Sequence, residues 1–163
     1  LLQLGYRRIG FVGDSRFWGD LSYSGFERAM RRHGGRINES WLFRSTDIEQ
    51  MAKAATDFVC ENPEQIEVFF CDADVVAMSL LRSLTRVGLK VPDQIGVMSY
   101  DGIDFYTQQP PYLTSVRIPY LQMIQTVLLQ AEANEFRPFR RQHHFLVGEL
   151  FRGQTVAQKE GGC

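Results

Sequence analysis

IEVFFCDADVVAMSLLRSLTRVGLKVPDQIGVMSYDG, residues 66–102, decides the fold. Ile66 to Cys71 is nearly all apolar, as in a strand with both sheet faces covered. Asp74 then reads as the cap of a helix with a broad stripe of Val76, Ala77, Leu80, Leu81 and Leu84, closed by Gly88. Val91-Pro92 turns the chain into a second apolar strand, Ile95 to Met98. This is a β-α-β unit.

The same rhythm extends toward the amino terminus. Ile9 to Val12 is a buried strand ended by Gly13. Asp20 reads as the cap of a helix to about His33, with Leu21, Phe26 and Met30 inward and Gly34-Gly35 as its stop. Trp41 to Phe43 is a short strand. Thr46 and Glu49 make a capping-box pattern before a helix with Met51, Ala55, Phe58 and Val59 at helical spacing, broken at Asn62-Pro63. Strand and helix alternating over short links predict an α/β fold, a doubly wound parallel sheet flanked by helices.

Beyond Asp101 the pattern changes. Residues 102–112 read as a polar, aromatic loop, Leu113 to Arg117 as a strand, and Pro119 as the first position of a helix to about Asn134. A basic link (Arg137, Arg140, Arg141) follows, then two short strand-like pieces, Phe145 to Val147 and Leu150-Phe151, and a flexible tail, 158–163.

Parallel strands joined by helical crossovers end on one rim. Here those ends are Gly13-Asp14, Ser45-Thr46, Asp72 and Asp101. Such a rim suits a small, hydroxyl-rich ligand.

Composition limits the alternatives. The 163 residues carry 18 Lys and Arg against 19 Asp and Glu, a formal net charge of -1, which argues against a large nucleic-acid footprint. No apolar run approaches the ~20 residues of a membrane span. Cys60, Cys71 and Cys163 lack metal spacing, and Cys60 and Cys71 read as reduced small hydrophobes. No cofactor or metal is expected. The histidines, His33, His143 and His144, read as solvated surface. Phospho-receiver, dinucleotide-binding and hydrolase readings each lack their motif, the last two a G-x-G-x-x-G and a G-x-S-x-G.

LxxLGYRRIGFVG at 1–13, SGFERAM at 24–30, DVVAMSLLRSLTRVGLKVPDQIGVMSYDG at 74–102, PYLTSVRIP at 111–119 and LVGELFRGQT at 146–155 follow one another in a telling order. Together they resemble the effector-binding domain of the lactose-repressor/galactose-repressor family of bacterial transcription regulators. That resemblance implies a periplasmic-binding-protein-like (type I) C-terminal lobe formed by 1–117 and 144–157. Residues 118–143 would belong to the N-terminal lobe, and the DNA-binding headpiece would lie outside these residues. The opening LLQLG, like a last helical turn closed by Gly5, fits an excised piece.

The resemblance also implies a small-molecule effector. An aspartate directly after a strand aromatic is usual in the family, and Tyr100-Asp101 matches it. A carboxylate there accepts charge-assisted hydrogen bonds from sugar hydroxyls. Two other usual contacts, an arginine and an asparagine, are replaced by Ser22 and Ala73. Asp14, Ser15 and Asp72 are further candidates, with Phe17 and Trp18 as faces for a pyranose ring. Without the arginine, a neutral sugar is favoured over an anionic effector. Val76, Leu80, Leu84, Tyr106 and Tyr112 would contribute to a homodimer interface, with core packing as the other reading of the helix stripe.

The protein would be a cytoplasmic, sugar-responsive repressor touching operator DNA only through its headpiece. The alternative is a lobe of a periplasmic sugar-binding transport protein. The helix at 119–134, with Leu121, Ile124 and Leu128 in one stripe, would need cover. It is expected to fold onto a second copy, pack on its own lobe in a non-family position, or disorder.

Overall fold

The computed structural model describes residues 1–103, 112–137 and 143–158, with the side chains of Phe17 and Trp18 outside that description. Asp104, Tyr106, Arg140, Arg141 and Cys163 therefore lie outside the described residues, as does nearly all of the loop and tail read from the sequence. Strands β1 (Ile9–Asp14), β2 (Leu42–Ser45), β3 (Val68–Cys71), β4 (Gly96–Asp101), β5 (Thr114–Arg117) and β6 (Glu149–Phe151) form one sheet. Its order is β2-β1-β3-β4-β5-β6. Pairings from β2 to β5 are parallel and only β6 runs antiparallel. The doubly wound parallel sheet is present, with an antiparallel edge.

Side-chain alternation along β1 and β3 supplies both faces. Val12, Phe69 and Cys71 point into one core with Ala52, Ala55 and Val59 of α2 (Ile48–Glu61) and Val76, Leu80 and Leu84 of α3 (Asp74–Arg86). Ile9 and Val68 point the other way, to Met30 and Phe26 of α1 (Phe17–Arg32). On that face Phe11 meets Tyr23 edge-on and Phe26 obliquely, each at 5.4 Å between ring centroids. Such pairs add about 0.5–1.5 kcal/mol to the area they bury.

Several local expectations are corrected. The first helix begins at Phe17 rather than after Asp20, with Arg16 at its N-cap. Leu21 is exposed instead of inward; it lines the cavity described below. The cap of α2 is Asp47, not Thr46, and its carboxylate accepts from the N–H groups of Glu49 and Gln50 at 2.9 and 3.1 Å. Glu49 is thereby released to accept from Ser79 of α3 at 3.0 Å. No strand forms at 145–147. Cys60 is exposed, while burial pushes the Cys71 thiol well up.

Val76, Leu80 and Leu84, read as interface residues, are 3, 0 and 0 % exposed. They face the sheet and α2, so they belong to the core and offer no surface to a second chain. Tyr112 is exposed and Tyr106 is undescribed.

Helix α4 (Tyr120–Ala133) folds but buries none of its residues. Leu121, Ile124 and Leu128 are 69, 58 and 55 % exposed. The helix is thus formed without deep cover from the rest of the described residues.

Leu80→Ala is expected to lower unfolding stability by about 2–5 kcal/mol, without changing the sedimentation coefficient of the native protein. A variant that alters association while keeping its melting temperature would contradict this placement.

Candidate functional site

Because β1 to β4 run in parallel, Asp14, Ser45, Asp72 and Asp101 finish on one rim, as their sequence positions suggest. The rim opens onto a cavity of about 1290 Å³, lined also by Ile118 to Tyr120 and Met123. Of the proposed ligand residues, Asp14, Ser22, Asp72, Ala73 and Asp101 line it; Ser15 does not. Ser15 instead donates its backbone N–H to Ser45 at 3.2 Å. Phe17 and Trp18 have no described side chains. Tyr100 and Tyr120, which the sequence did not suggest as ring faces, also line the cavity.

The rim has two electrostatic halves. At the α1 end the acids are matched. Arg16 Nε lies 2.9 Å from both carboxylate oxygens of Asp14, and this pairing holds Asp14 below its ordinary range. Arg44 reaches Asp20 at 2.5 Å and the Asp14 carbonyl at 3.2 Å, with its guanidinium over the Tyr23 ring at 5.2 Å. These two arginines were missed. They arrive from the β1–α1 loop and from β2, not from position 22, and both are engaged with acids.

The α3 end is acidic. Asp72 Oδ2 accepts the Asp14 N–H at 2.7 Å, while its buried Oδ1 has no partner. Gly13 permits this approach, since a Cβ there would sit 2.6 Å from the Asp72 carboxyl carbon. Burial raises Asp72 above its ordinary value, with Asp14 adding to the effect. Asp101 is raised further, to about 6, first by burial and then by the charges of Asp74 and Asp72.

Asp101 also has an uncommon backbone, with φ 131°. Such a conformation in a non-glycine residue costs on the order of 1–3 kcal/mol and persists only where its surroundings enforce it. Gly102 follows at φ 68°, where a Cβ would collide with the Arg117 Cα at 2.4 Å. Asp74, read as a helix cap, makes no cap bond. It is fully buried and takes the hydroxyls of Ser99 and Ser115. Ser99 and Ser115 are fully buried on neighbouring strands, and buried hydroxyls demand a polar partner.

Residues 1–156 match the family described as Periplasmic binding protein-like domain. The chain belongs to that family. Curated relatives include the HTH-type transcriptional repressor PurR of Photobacterium profundum, 30% identical over 64% of this chain and 31% of its own length. Another is the HTH-type transcriptional repressor CytR of Escherichia coli, 26% identical over 79% of this chain and 38% of its own. The chain spans about a third of these relatives. Among solved structures, a sugar-binding transcriptional regulator (LacI family) from Escherichia coli complexed with phosphate superposes with TM-score 0.80 at 21% identity, covering 97% of this chain and 58% of that one. The periplasmic-binding-protein-like domain thus shares the fold of that LacI-family regulator.

Asp101 gives the site a pH signature. An aspartate ordinarily titrates near 3.8, and here the folded state holds the proton up to about 6. The native state therefore binds that proton more tightly than the unfolded chain. Stability is highest below the ordinary value, falls between the two, and stays lower above about 6. Asp101→Asn should raise stability at neutral pH by about 1 kcal/mol, after allowance for solvent screening. The gain should vanish near pH 4; urea unfolding at both pH values checks it.

Proposed function

We propose that this chain is the effector-sensing part of a bacterial transcriptional repressor that responds to a neutral sugar. The observation that carries the reading is Asp101, a strained, half-buried acid that lines a cleft of about 1290 Å³ together with Tyr100 and Tyr120. Its carboxylate can accept from ring hydroxyls, and the two phenol rings offer faces to the apolar side of a sugar. Arg16 and Arg44 are already paired with acids, which leaves little positive charge for an anionic effector. The repressor names of the relatives support a regulator over a transport lobe.

On this reading residues 118–143 belong to an N-terminal lobe that covers α4, while 1–117 and 144–157 form the C-terminal lobe. A sugar held between the lobes favours one arrangement over the other, a population shift that changes how paired headpieces meet operator DNA. The regulator is cytoplasmic, like its operator, and works as a homodimer. Among the described residues no helix is long and apolar enough to cross a membrane.

The test is a thermal-shift and calorimetric screen of neutral mono- and disaccharides against the full-length gene product. At least one should bind, and Asp101→Asn should weaken it about 10- to 100-fold, the worth of one or two hydrogen bonds to a charged group. Affinity for that sugar should decline as pH drops through about 6, where Asp101 takes up its proton. Asp72, Asp74, Tyr100 and Tyr120 are the other titratable groups around it. Binding that ignores both the substitution and the pH would sink the assignment of Asp101.

In gel-shift assays the 163-residue chain alone should give no sequence-specific complex with operator DNA. A specific shift would mean that the DNA contacts lie within it.

A further inference from the structure

Asp74 starts α3 and is 0 % exposed, yet its carboxylate is turned away from its own helix toward the far end of β4. Oδ1 accepts from the hydroxyls of Ser99 and Ser115 at 2.5 and 2.7 Å. Oδ2 accepts from the backbone N–H of Ile103 at 2.6 Å. Ser115 Oγ in turn accepts from the N–H of Gly102 at 3.1 Å. The Asp101 carbonyl accepts from Ile118 at 3.0 Å. Three consecutive residues after Tyr100 are therefore each fixed by a hydrogen bond, and two of the three bonds trace to Asp74.

A staple between β4 and β5 would not need this arrangement. Those strands are already paired, with Ser99 opposite Ser115 in register. The bond to Ile103 lies past the end of β4 and adds nothing to that ladder. What it does restrain is the turn that holds Asp101 at positive φ, a conformation that needs enforcement from outside.

We propose that Asp74 is the positioning residue of the rim. Its buried carboxylate fixes the backbone of residues 101–103 and, through it, the direction in which Asp101 faces the cleft. The purpose of that positioning rests on the sugar reading above; the coupling between the two aspartates does not.

Amide hydrogen exchange and carboxyl carbon titration by NMR, on the full chain without ligand, test the coupling. In Asp74→Ala the amides of Gly102 and Ile103 should exchange at least tenfold faster, while those of β1 and β3 keep their protection. Asp74→Asn retains an oxygen for Ile103 and should restore most of that local protection. Both variants remove a charge near Asp101, so its titration midpoint should move down from about 6 toward 3.8. Should Asp74→Ala fail to fold, Ser115→Ala takes its place, with Gly102 as the reporter. Unchanged exchange at 102 and 103 in a folded variant overturns the proposal. So does a loss of protection spread evenly over the sheet, the mark of a general staple. A failed sugar screen leaves this result intact, and unchanged exchange here leaves sugar binding standing.

Discussion

A parallel sheet with helices on both faces can end its strands in only one place. Each crossover returns the chain to the same starting edge, so the carboxyl ends of β1 to β4 must gather at the opposite one. The apolar alternation of β1 and β3, one set toward α1 and the other toward α2 and α3, enforces that geometry. A one-residue slip would turn Phe69 and Val68 to the wrong faces. Core packing thus determines where the polar residues after each strand come to lie, although none of them takes part in the core.

That convergence has an electrostatic cost. Two unit charges about 4 Å apart interact by about 4 kcal/mol at an effective dielectric near 20. The molecule meets the cost differently at the two ends of the rim. Around α1, arginines answer Asp14 and Asp20. Around α3, Asp74 is held by neutral donors only, two hydroxyls and one amide. Hydrogen bonds of this kind stabilise a buried carboxylate without cancelling its charge, and the remainder acts on Asp101. An acid held in that state costs stability, yet it is a strong acceptor for hydroxyl donors. Sites that sacrifice stability for recognition carry this signature.

Much of this was legible in the chain. The strand-helix rhythm from Ile9 to Asp101 follows from apolar runs punctuated by Gly13, Gly34, Pro63 and Gly88, and a parallel sheet needs little more. The rim positions followed from the rhythm. What stayed hidden depended on side-chain direction across elements. Val76, Leu80 and Leu84 form a stripe that suits a core or an interface equally well, and only the presence of α2 against them decides. Asp74 sits where a cap is expected, and nothing local says that its carboxylate prefers serines 25 and 41 residues away. Arg44 reaches the first loop from β2, an element that no spacing rule connects to it, while Arg16 lies within that loop and turns back on Asp14.

Tyr120 and Met123 of helix α4 line the cleft. Fourteen residues are marginal as an isolated helix in water, and none of these fourteen is buried. At its start Tyr120 donates to Ile118 at 2.8 Å and Met123 to Pro119 at 3.0 Å, and toward its other end Gln130 contacts His144. Ile118 is also the residue that holds the Asp101 carbonyl. The acid and the start of α4 thus meet at one short segment of backbone. Each large apolar side chain of α4 gains about 1.5–3 kcal/mol when fully covered, so a lobe docking on Leu121, Ile124 and Leu128 would act with several kcal/mol on that segment. In the proposed regulator, such docking would bear on the ligand acceptor through the backbone of residues 118–120, which is hydrogen-bonded to Asp101.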